Sequence, residues 1–150
     1  MHTRRLSIHD RDLARTLFTV MAGVFDEQSD PLPDSYLDCL LKRDDFWAIA
    51  TLDGDEIVGG LTAHSLMMTR SQTSEVFIYD LAVQPHHQRK GVGRQLIEAL
   101  QSAAAASGIT TVFVPVENED THALEFYRAV GGTAAPVTFF TFSARPEDNV

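Results

Sequence analysis

Residues 84–100 read QPHHQRKGVGRQLIEAL, and no other stretch of the sequence is as informative about fold and ligand. It follows an apolar strand pattern, VFIYDLAV at residues 76–83, and leads into apolar residues at helical spacing. The turn between strand and helix contains two glycines and three basic residues, namely Gly91, Gly93, Arg89, Lys90 and Arg94. A glycine-containing turn at a helix start presents unpaired backbone N–H groups at the positive end of the helix dipole. The stretch therefore predicts a site for an anion such as phosphate.

Two common phosphate-binding motifs do not match this turn. It lacks the Gly-Lys-Ser/Thr of a P-loop and the spacing of the GxGxxG dinucleotide turn. An ordinary strand–turn–helix connection with basic residues facing solvent would also produce such a pattern. The residue types alone leave both interpretations open.

Length and composition favour one domain over residues 1–150 with one core, because 44% of the 150 residues are hydrophobic and 22% are charged. No apolar run approaches the roughly 20 residues of a membrane span, and the N-terminal sequence lacks the apolar centre of a signal peptide. Cys39 is the only cysteine, and no histidine pair has metal-ligand spacing. We expect a cytoplasmic protein that binds no metal and no membrane.

The charge distribution points to a cationic partner. The net charge of −9 argues against nucleic acid as the main ligand. Residues 16–41 and 95–127 contain no Lys or Arg, and each range contains five acidic residues. An acidic surface that only keeps the protein in solution is the alternative.

Periodicity and turn residues predict the order strand, helix, helix, three strands, helix, strand, helix, strand. The predicted strands are 4–10, 46–53, 57–68, 75–83, 110–116 and 135–143, and the predicted helices are 11–25, 35–43, 91–106 and 122–130. Asp10 is expected to cap the first helix, and Asp120 or Thr121 the last. This order predicts a mixed α/β domain with an antiparallel meander and a later βαβ step.

A family resemblance rests on two segments. Residues 88–93, QRKGVG, match the pattern Gln/Arg-x-x-Gly-x-Gly/Ala and follow LAVQP, and ALEFYRAVGG at 123–132 matches Ala-x-x-Phe-Tyr-x-x-x-Gly. Both resemble the GNAT N-acetyltransferases. The resemblance implies the GNAT fold, a central mixed sheet flanked by about four helices. Gly132 departs from the family, which usually has an aromatic or aliphatic residue there, so a local packing change is expected.

The resemblance also implies acetyl-CoA as co-substrate. Backbone N–H groups of the turn would hold its pyrophosphate, which implicates Gln88, Arg89, Lys90, Gly91, Val92, Gly93 and Arg94. A bulge in the preceding strand would pair with the pantetheine arm through Leu81, Ala82 and Val83.

Two residues are the candidates for catalysis. Acetyl transfer needs a neutral amine and a proton for the leaving thiolate. Tyr127 stands where the resemblance implies a general acid, although it could be a core aromatic. Asp80 interrupts an apolar strand, where a carboxylate is costly unless something pairs with it. It could hold the amine and accept its proton, directly or through water, or it could pair structurally with a basic or backbone group.

The segments SEVFIYDLAV at 74–83 and VPVENEDTHALEFY at 114–127 resemble the class I aminoglycoside 3-N-acetyltransferases more narrowly. This resemblance implies a polycationic acceptor such as gentamicin, acetylated on the 3-amine of the 2-deoxystreptamine ring, and antibiotic resistance. Residues ENED at 117–120 depart from that family's pattern, which puts the range of drugs in doubt. The expected acceptor site consists of Asp26, Glu27, Asp30, Tyr79, Asp80, Glu117, Asn118, Glu119 and Asp120. His64 could line the same cleft.

Other functions remain open at this stage. The acidic segments would suit a polyamine, an amino-sugar metabolite or a protein N-terminus equally well, and an acyl-CoA sensor could use the same turn. A homodimer is expected, because this family is often dimeric and residues 136–143, PVTFFTFS, could pair across an interface. The alternative for that segment is the last strand of the core.

Overall fold

The structure is a computed structural model, and it describes residues 1–145. The chain divides into two compact units, Met1–Pro115 and a second unit that begins at Val116. The first unit contains β1 (His2–Arg5), α1 (Arg11–Val24), α2 (Asp34–Lys42), β2 (Phe46–Asp53), β3 (Glu56–Met67), β4 (Ser74–Val83), a 3₁₀ turn (Pro85–His87), α3 (Val92–Ala106) and β5 (Val112–Phe113). The second contains α4 (Thr121–Ala129).

The five strands form one sheet in the order β1-β2-β3-β4-β5. The first three pairs are antiparallel, and β4 and β5 are parallel with α3 as the connection between them. The predictions of a mixed sheet, an antiparallel meander and a later βαβ step are confirmed.

Two adjacent glycines in β3 set the distance of the helices from the sheet. A Cβ at Gly60 would lie 2.3 Å from Leu17 of α1, and a Cβ at Gly59 would lie 2.9 Å from Val92 of α3. Successive side chains of a strand point to opposite faces, so α1 and α3 cover the two faces of the sheet. Leu17 and Val92 are both fully buried. The close approach of α3 brings the start of this helix against the end of β4.

The first strand was predicted at 4–10, but β1 begins at His2 and ends at Arg5. It ends early because residues 7–10 form a turn. The Ser7 N–H donates to Asp10 Oδ2 at 2.7 Å, and Arg4 donates two hydrogen bonds to the same carboxylate at 2.9 and 3.0 Å. Asp10 occupies the N-cap position of α1, but its side chain makes no capping hydrogen bond. The predicted cap is therefore wrong in its chemistry, since the carboxylate is used by Arg4 and Ser7.

The Asp10–Arg4 pair predicts a pH-dependent contribution to stability. Hydrogen bonding from Arg4 lowers the pKa of Asp10 to about 2. A lowered carboxyl pKa stabilises the fold above the ordinary pKa of about 4, and this contribution is lost as the pH falls toward 2. We expect Asp10→Asn to lower the free energy of unfolding by about 1–2 kcal/mol at pH 7 and by less at pH 3.

Urea unfolding of both proteins at the two pH values tests this prediction. Asp12→Asn is the matched control, because the Asp12 side chain is 94% exposed in its pair with Arg15, and it should change stability by less than about 0.5 kcal/mol. If Asp10→Asn lowered the free energy of unfolding by the same amount at pH 7 and at pH 3, the lowered pKa of Asp10 would not be the cause of the loss.

Two strand predictions need correction. The predicted strand at 110–116 is a strand only at Val112–Phe113. The predicted strand at 135–143 is wrong, since residues 133–145 contain no strand. Its four large apolar side chains, Val137, Phe139, Phe140 and Phe142, are 75–88% exposed. An alternating apolar sequence becomes a strand only where another strand pairs with it, and no described strand pairs with this segment.

In the second unit, Asp120 caps α4, because its carboxylate accepts a hydrogen bond from the Ala123 N–H at 3.0 Å. This contact decides between the two predicted caps. After the helix, the Gly132 N–H donates to the Tyr127 carbonyl at 2.8 Å. A Cβ at position 132 would lie 2.9 Å from that carbonyl oxygen. The expected packing change at Gly132 is therefore a turn too tight for a side chain.

No helix within residues 1–145 is both long enough and apolar enough to cross a bilayer.

Candidate functional site

The two parallel strands β4 and β5 separate early. β5 pairs with β4 only at Val76 and Phe77, whereas β3 pairs with β4 as far as Val83. From Ile78 onward, no strand of the described chain lies beside β4 on the side of β5. The backbone of Leu81–Val83 therefore has no partner strand on that side within residues 1–145, and its pairing with the pantetheine arm stays what the family resemblance implies.

A bulge in β4 lies next to this opening. Thr62 of β3 is opposite Asp80, but Ala63 is opposite Ile78, so Tyr79 is an extra residue in β4. Successive side chains of a regular strand point to opposite faces. The bulge lets Tyr79 and Asp80 line the same cleft.

The turn before α3 has the geometry of an anion site. Gly91, the N-cap of α3, has φ +84°, and Arg89 has φ +61°, which is uncommon for a residue with a side chain. No side chain caps α3, so the N–H groups of its first turn are open to a ligand. Gln88 ties the turn to the strand by donating to the Val83 carbonyl at 3.2 Å.

Two further observations fit a pyrophosphate here. The side chains of Arg89, Lys90 and Arg94 surround the turn and are exposed. His87 Nδ1 is buried without a hydrogen-bond partner among residues 1–145, and such a buried polar atom normally has a partner. The residues present therefore fit the diphosphate of acetyl-CoA.

A cleft of about 500 Å³ lies within the first unit, on the side of β4 that is away from β5. It is lined by α1, the loop after α1, α2, and the strands β2, β3 and β4. Three carboxylates line it: Glu27, Asp30 and Asp80. Of the acceptor residues predicted in this unit, only Asp26 does not line the cleft. It lies just beyond the end of α1 with φ +56°.

Asp80 has the environment of a reactive carboxylate. It is half-buried, and within residues 1–145 no group donates a hydrogen bond to it and no cation pairs with it. Burial raises its pKa, and the negative charge of Glu27 adds to this effect. The alternative of a structural partner for Asp80 finds no support in these contacts. The carboxylate is free to bind an ammonium group and to accept a proton.

The acidic segment 16–41 is less available to a ligand than its charge count predicts. Asp38 accepts two hydrogen bonds from Arg11 at 2.6 and 2.7 Å, and Asp34 pairs with Arg11 and Arg15. These pairs join α1 to α2 and hold the loop between the two helices. Because the pairing arginines are distant in sequence, the charge pattern alone gave no signal of them.

The remaining predicted residues belong to the second unit. Glu117, Asn118 and Glu119 are exposed before α4, and the Asp120 side chain caps that helix. Tyr127 is half-buried on α4, and its ring lies 5.0 Å from that of Phe126. The roles of these residues remain predictions.

One side of the cleft is aromatic; the sequence pointed to His64 and Tyr79 there, but not to Phe46 and Phe18. His64 contacts the rings of Phe46 and Tyr79, with centroid distances of 5.3 and 6.0 Å. Phe18 adds a further ring, 6.4 Å from Phe46. Counting back from the hairpin turn at Gly54 would place Phe46 opposite Ala63, and only the register shift between Thr51 and Leu52 brings it opposite His64, so the sequence carried no signal of this pair. The cleft thus combines a carboxylate side with an aromatic side.

Within the described part of the chain, no group of three or more His, Cys, Asp or Glu side chains is arranged to hold a metal ion.

Comparison with known proteins agrees with this geometry. The acetyltransferase (GNAT) family model matches residues 11–131. The crystal structure of the aminoglycoside acetyltransferase meta-AAC0020, from an uncultured soil metagenomic sample, aligns with a TM-score of 0.90. That structure is a complex with trehalose. The alignment has 32% sequence identity and covers 96% of this chain and 96% of meta-AAC0020. In complex with sisomicin, meta-AAC0020 aligns with a TM-score of 0.91 and 30% identity.

Curated relatives match over shorter segments. The [ribosomal protein bS18]-alanine N-acetyltransferase of Escherichia coli is 29% identical over 70 residues, which is 47% of each chain. The N-acetyltransferase YvbK of Bacillus subtilis is 35% identical over 78 residues, which is 52% of this chain and 47% of YvbK. The chain thus matches about half the length of these relatives. The family model covers most of the residues that form the turn, the cleft and α4, and on this ground the chain belongs to the GNAT acetyltransferase family.

Proposed function

We propose that this chain is an acetyl-CoA-dependent N-acetyltransferase of aminoglycosides. It acetylates the 3-amine of the 2-deoxystreptamine ring by direct attack in a ternary complex, with gentamicin as the expected drug, and so confers antibiotic resistance. The observation that carries the proposal is the half-buried Asp80, which lines a cleft together with Glu27 and Asp30 and has no partner within residues 1–145. The alignment with meta-AAC0020, a protein crystallised with sisomicin, supports this acceptor class.

In the proposed reaction, the turn at residues 88–94 holds the CoA diphosphate, and the backbone of Leu81–Val83 aligns the pantetheine arm. Asp80 binds the acceptor ammonium and takes its proton, directly or through water. The raised pKa makes Asp80 a stronger base than an ordinary aspartate. The amine nitrogen then forms a bond to the acetyl carbon as the carbon–sulfur bond breaks, and the second proton that the nitrogen loses on becoming an amide passes to solvent. Tyr127 supplies the proton that the departing thiolate receives.

Both units take part in this proposal as one acetyltransferase domain, and the family model that spans residues 11–131 supports that organisation. We also propose a cytoplasmic location, because acetyl-CoA is an intracellular metabolite.

A thiol-release assay with acetyl-CoA tests the function. The panel consists of gentamicin, kanamycin, spermidine and a peptide with N-terminal alanine. We expect release with gentamicin, and mass spectrometry with fragmentation should locate one acetyl group on the 3-amine. Release with spermidine or the peptide but with neither drug would overturn the proposal. Binding of acetyl-CoA without release on any amine would favour a sensor.

A protein N-terminus is the second candidate acceptor. The match to the bS18-alanine N-acetyltransferase of Escherichia coli favours it, although that match covers 70 residues. The peptide in the panel distinguishes the two candidates.

Tyr127→Phe tests the proposed general acid. The variant retains the aromatic ring and removes the hydroxyl, so we expect kcat to fall about tenfold to a hundredfold with little change in the KM for the amine. Steady-state kinetics with gentamicin measures both constants. The control is Phe126→Tyr, which adds a hydroxyl at the neighbouring position and should not compensate for the loss when combined with Tyr127→Phe. Unchanged kcat in Tyr127→Phe would show that another group protonates the thiolate.

We also propose a homodimer that uses the exposed segment 137–142. Residues 134–144 carry no charge in a chain of net charge −9, so two copies of the segment do not repel each other. Burying three phenylalanines would contribute roughly 500 Å² per copy, a large share of the roughly 800 Å² per partner in a standard interface.

Sedimentation equilibrium measures the mass of the particle. We expect two chains for the wild type and one for the double variant Phe139→Ser/Phe142→Ser, because a serine pair cannot supply the apolar area. Met67→Ser is the control, since Met67 is equally exposed at 88% but lies outside the segment. A wild-type mass of one chain at micromolar concentration would refute the dimer.

A further inference from the structure

We propose that His64 is a specificity-determining residue, which hydrogen-bonds a hydroxyl group of the acceptor and so selects hydroxylated amines. This inference rests on the proposed function and extends it, because it names the part of the acceptor that lies on the aromatic side of the cleft. His64 lines the cleft together with Asp80.

The ring of His64 lies between two other rings, but its nitrogens have no hydrogen-bond partner within residues 1–145. Phe46, itself only 5% exposed, contacts the ring at 5.3 Å with an interplanar angle of 54°, and Tyr79 contacts it edge-on at 6.0 Å. No hydrogen bond within residues 1–145 reaches either nitrogen, and neither is a fully buried atom. A fixed ring with accessible nitrogens is suited to binding a ligand, because little conformational entropy is lost on contact.

The register of the sheet places His64 at a useful distance from the reacting amine. Thr62 is opposite Asp80, and His64 is two residues farther along β3 on the same face. Two residues of a strand span roughly 7 Å. One six-membered ring and its substituents can bridge that distance, with an amine at Asp80 and another group at His64.

The chemistry of imidazole indicates which group binds there. A neutral histidine offers one donor and one acceptor, which matches a hydroxyl, while a carboxylate only accepts and matches an ammonium group. Glu27, Asp30 and Asp80 already supply acceptors for the amines. Aminocyclitols carry hydroxyls beside their amines, whereas aliphatic diamines do not.

His64→Phe is the test, because it retains an aromatic ring between Phe46 and Tyr79 and removes both nitrogens. Calorimetry measures the binding of 2-deoxystreptamine and of 1,3-diaminocyclohexane, which lacks hydroxyls, in the presence of CoA. We expect the variant to bind 2-deoxystreptamine about 5- to 30-fold more weakly, in line with one lost hydrogen bond, and to bind the diamine as the wild type does. His64→Gln should restore part of the affinity, since an amide also donates and accepts.

The outcomes separate this inference from the proposed function. Equal weakening for both ligands, or unchanged affinity for 2-deoxystreptamine, would overturn the role of His64. If the wild type binds 2-deoxystreptamine in this way but acetylates no aminoglycoside, the proposed function fails while the inference stands. If the wild type does not bind it, both fail. The melting temperature and acetyl-CoA affinity of His64→Phe should match those of the wild type, which excludes a folding defect.

Discussion

Asp80→Asn is expected to lower kcat/KM for the amine about 10²- to 10⁴-fold, while the affinity for acetyl-CoA changes by less than about twofold. Removing a general base typically costs this much, and asparagine can neither take the proton nor attract the ammonium group. The acetyl-CoA affinity is maintained because the anion site at residues 88–94 does not include Asp80. Steady-state kinetics and a separate CoA titration measure the two quantities.

Stability provides an independent check on the same variant. A carboxyl group with a raised pKa in the folded state destabilises the fold when it is ionised, so this cost is present above the ordinary pKa and disappears at lower pH. Asp80→Asn should therefore be at least as stable as the wild type at pH 7. Asp55→Asn, an exposed change of the same charge in the β2–β3 turn, is the control for activity. Near-normal turnover in Asp80→Asn would disprove the catalytic role.

Glu27 should influence the pH profile of the reaction through Asp80. Asp80 works as a base only when ionised, so its raised pKa moves the acidic limb of kcat/KM above the pH expected for an ordinary aspartate. Because the Glu27 charge contributes to that shift, Glu27→Gln should move the limb to lower pH.

Gly60→Ala is expected to lower the free energy of unfolding by about 1–3 kcal/mol, the usual cost of overpacking a core. The added Cβ would lie 2.3 Å from Leu17 Cδ1 and 3.0 Å from the Ile49 carbonyl oxygen. Leu17 is fully buried, so a turn of its side chain has to displace packed neighbours. For a chain of this size the melting temperature should fall by roughly 2–10 °C.

Gly23→Ala is the matched control for this substitution. Gly23 lies in the last turn of α1, and nothing lies within 4 Å of an added Cβ. Alanine in a helix is favoured over glycine, so this variant should gain up to about 1 kcal/mol. Opposite shifts in the two melting temperatures would confirm that the α1–sheet contact is tight. A Gly60→Ala protein as stable as wild type would show that α1 can move away from β3.

The elements with strong local signals were predictable from sequence. The structure confirms three such elements: the strand at 46–53, the turn at Gly54 and the helix after Gly91. They were predictable because positive-φ glycines and apolar periodicity are signals that extend over only a few residues. The geometry of the turn before α3 was predictable for the same reason, since the turn and the helix start lie within one short segment; that it binds an anion stays a prediction.

Long-range contacts decided the rest. The family resemblance implied a bulge in this strand near Leu81–Val83, but the residue pattern does not place it at Tyr79, where it lies, because a bulge is defined by the pairing with β3. The number of acidic residues in 16–41 did not show that Arg11 and Arg15 form salt bridges with two of them, Asp34 and Asp38. In the same way, the apolar pattern at 135–143 does not specify a strand, since pairing needs a neighbouring edge.

The sequence was sufficient to predict the donor side: a turn whose residue types favour a phosphate group and whose spacing resembles the acetyl-CoA signature of the family. The proposed acceptor side depends on the folded chain, since Asp80, Glu27 and His64 come from different elements and meet in one cleft. The physical reason is the range of the interactions. A helix start and its turn are formed by neighbours in the chain, whereas a substrate cleft is formed by side chains that only the register of the sheet brings together.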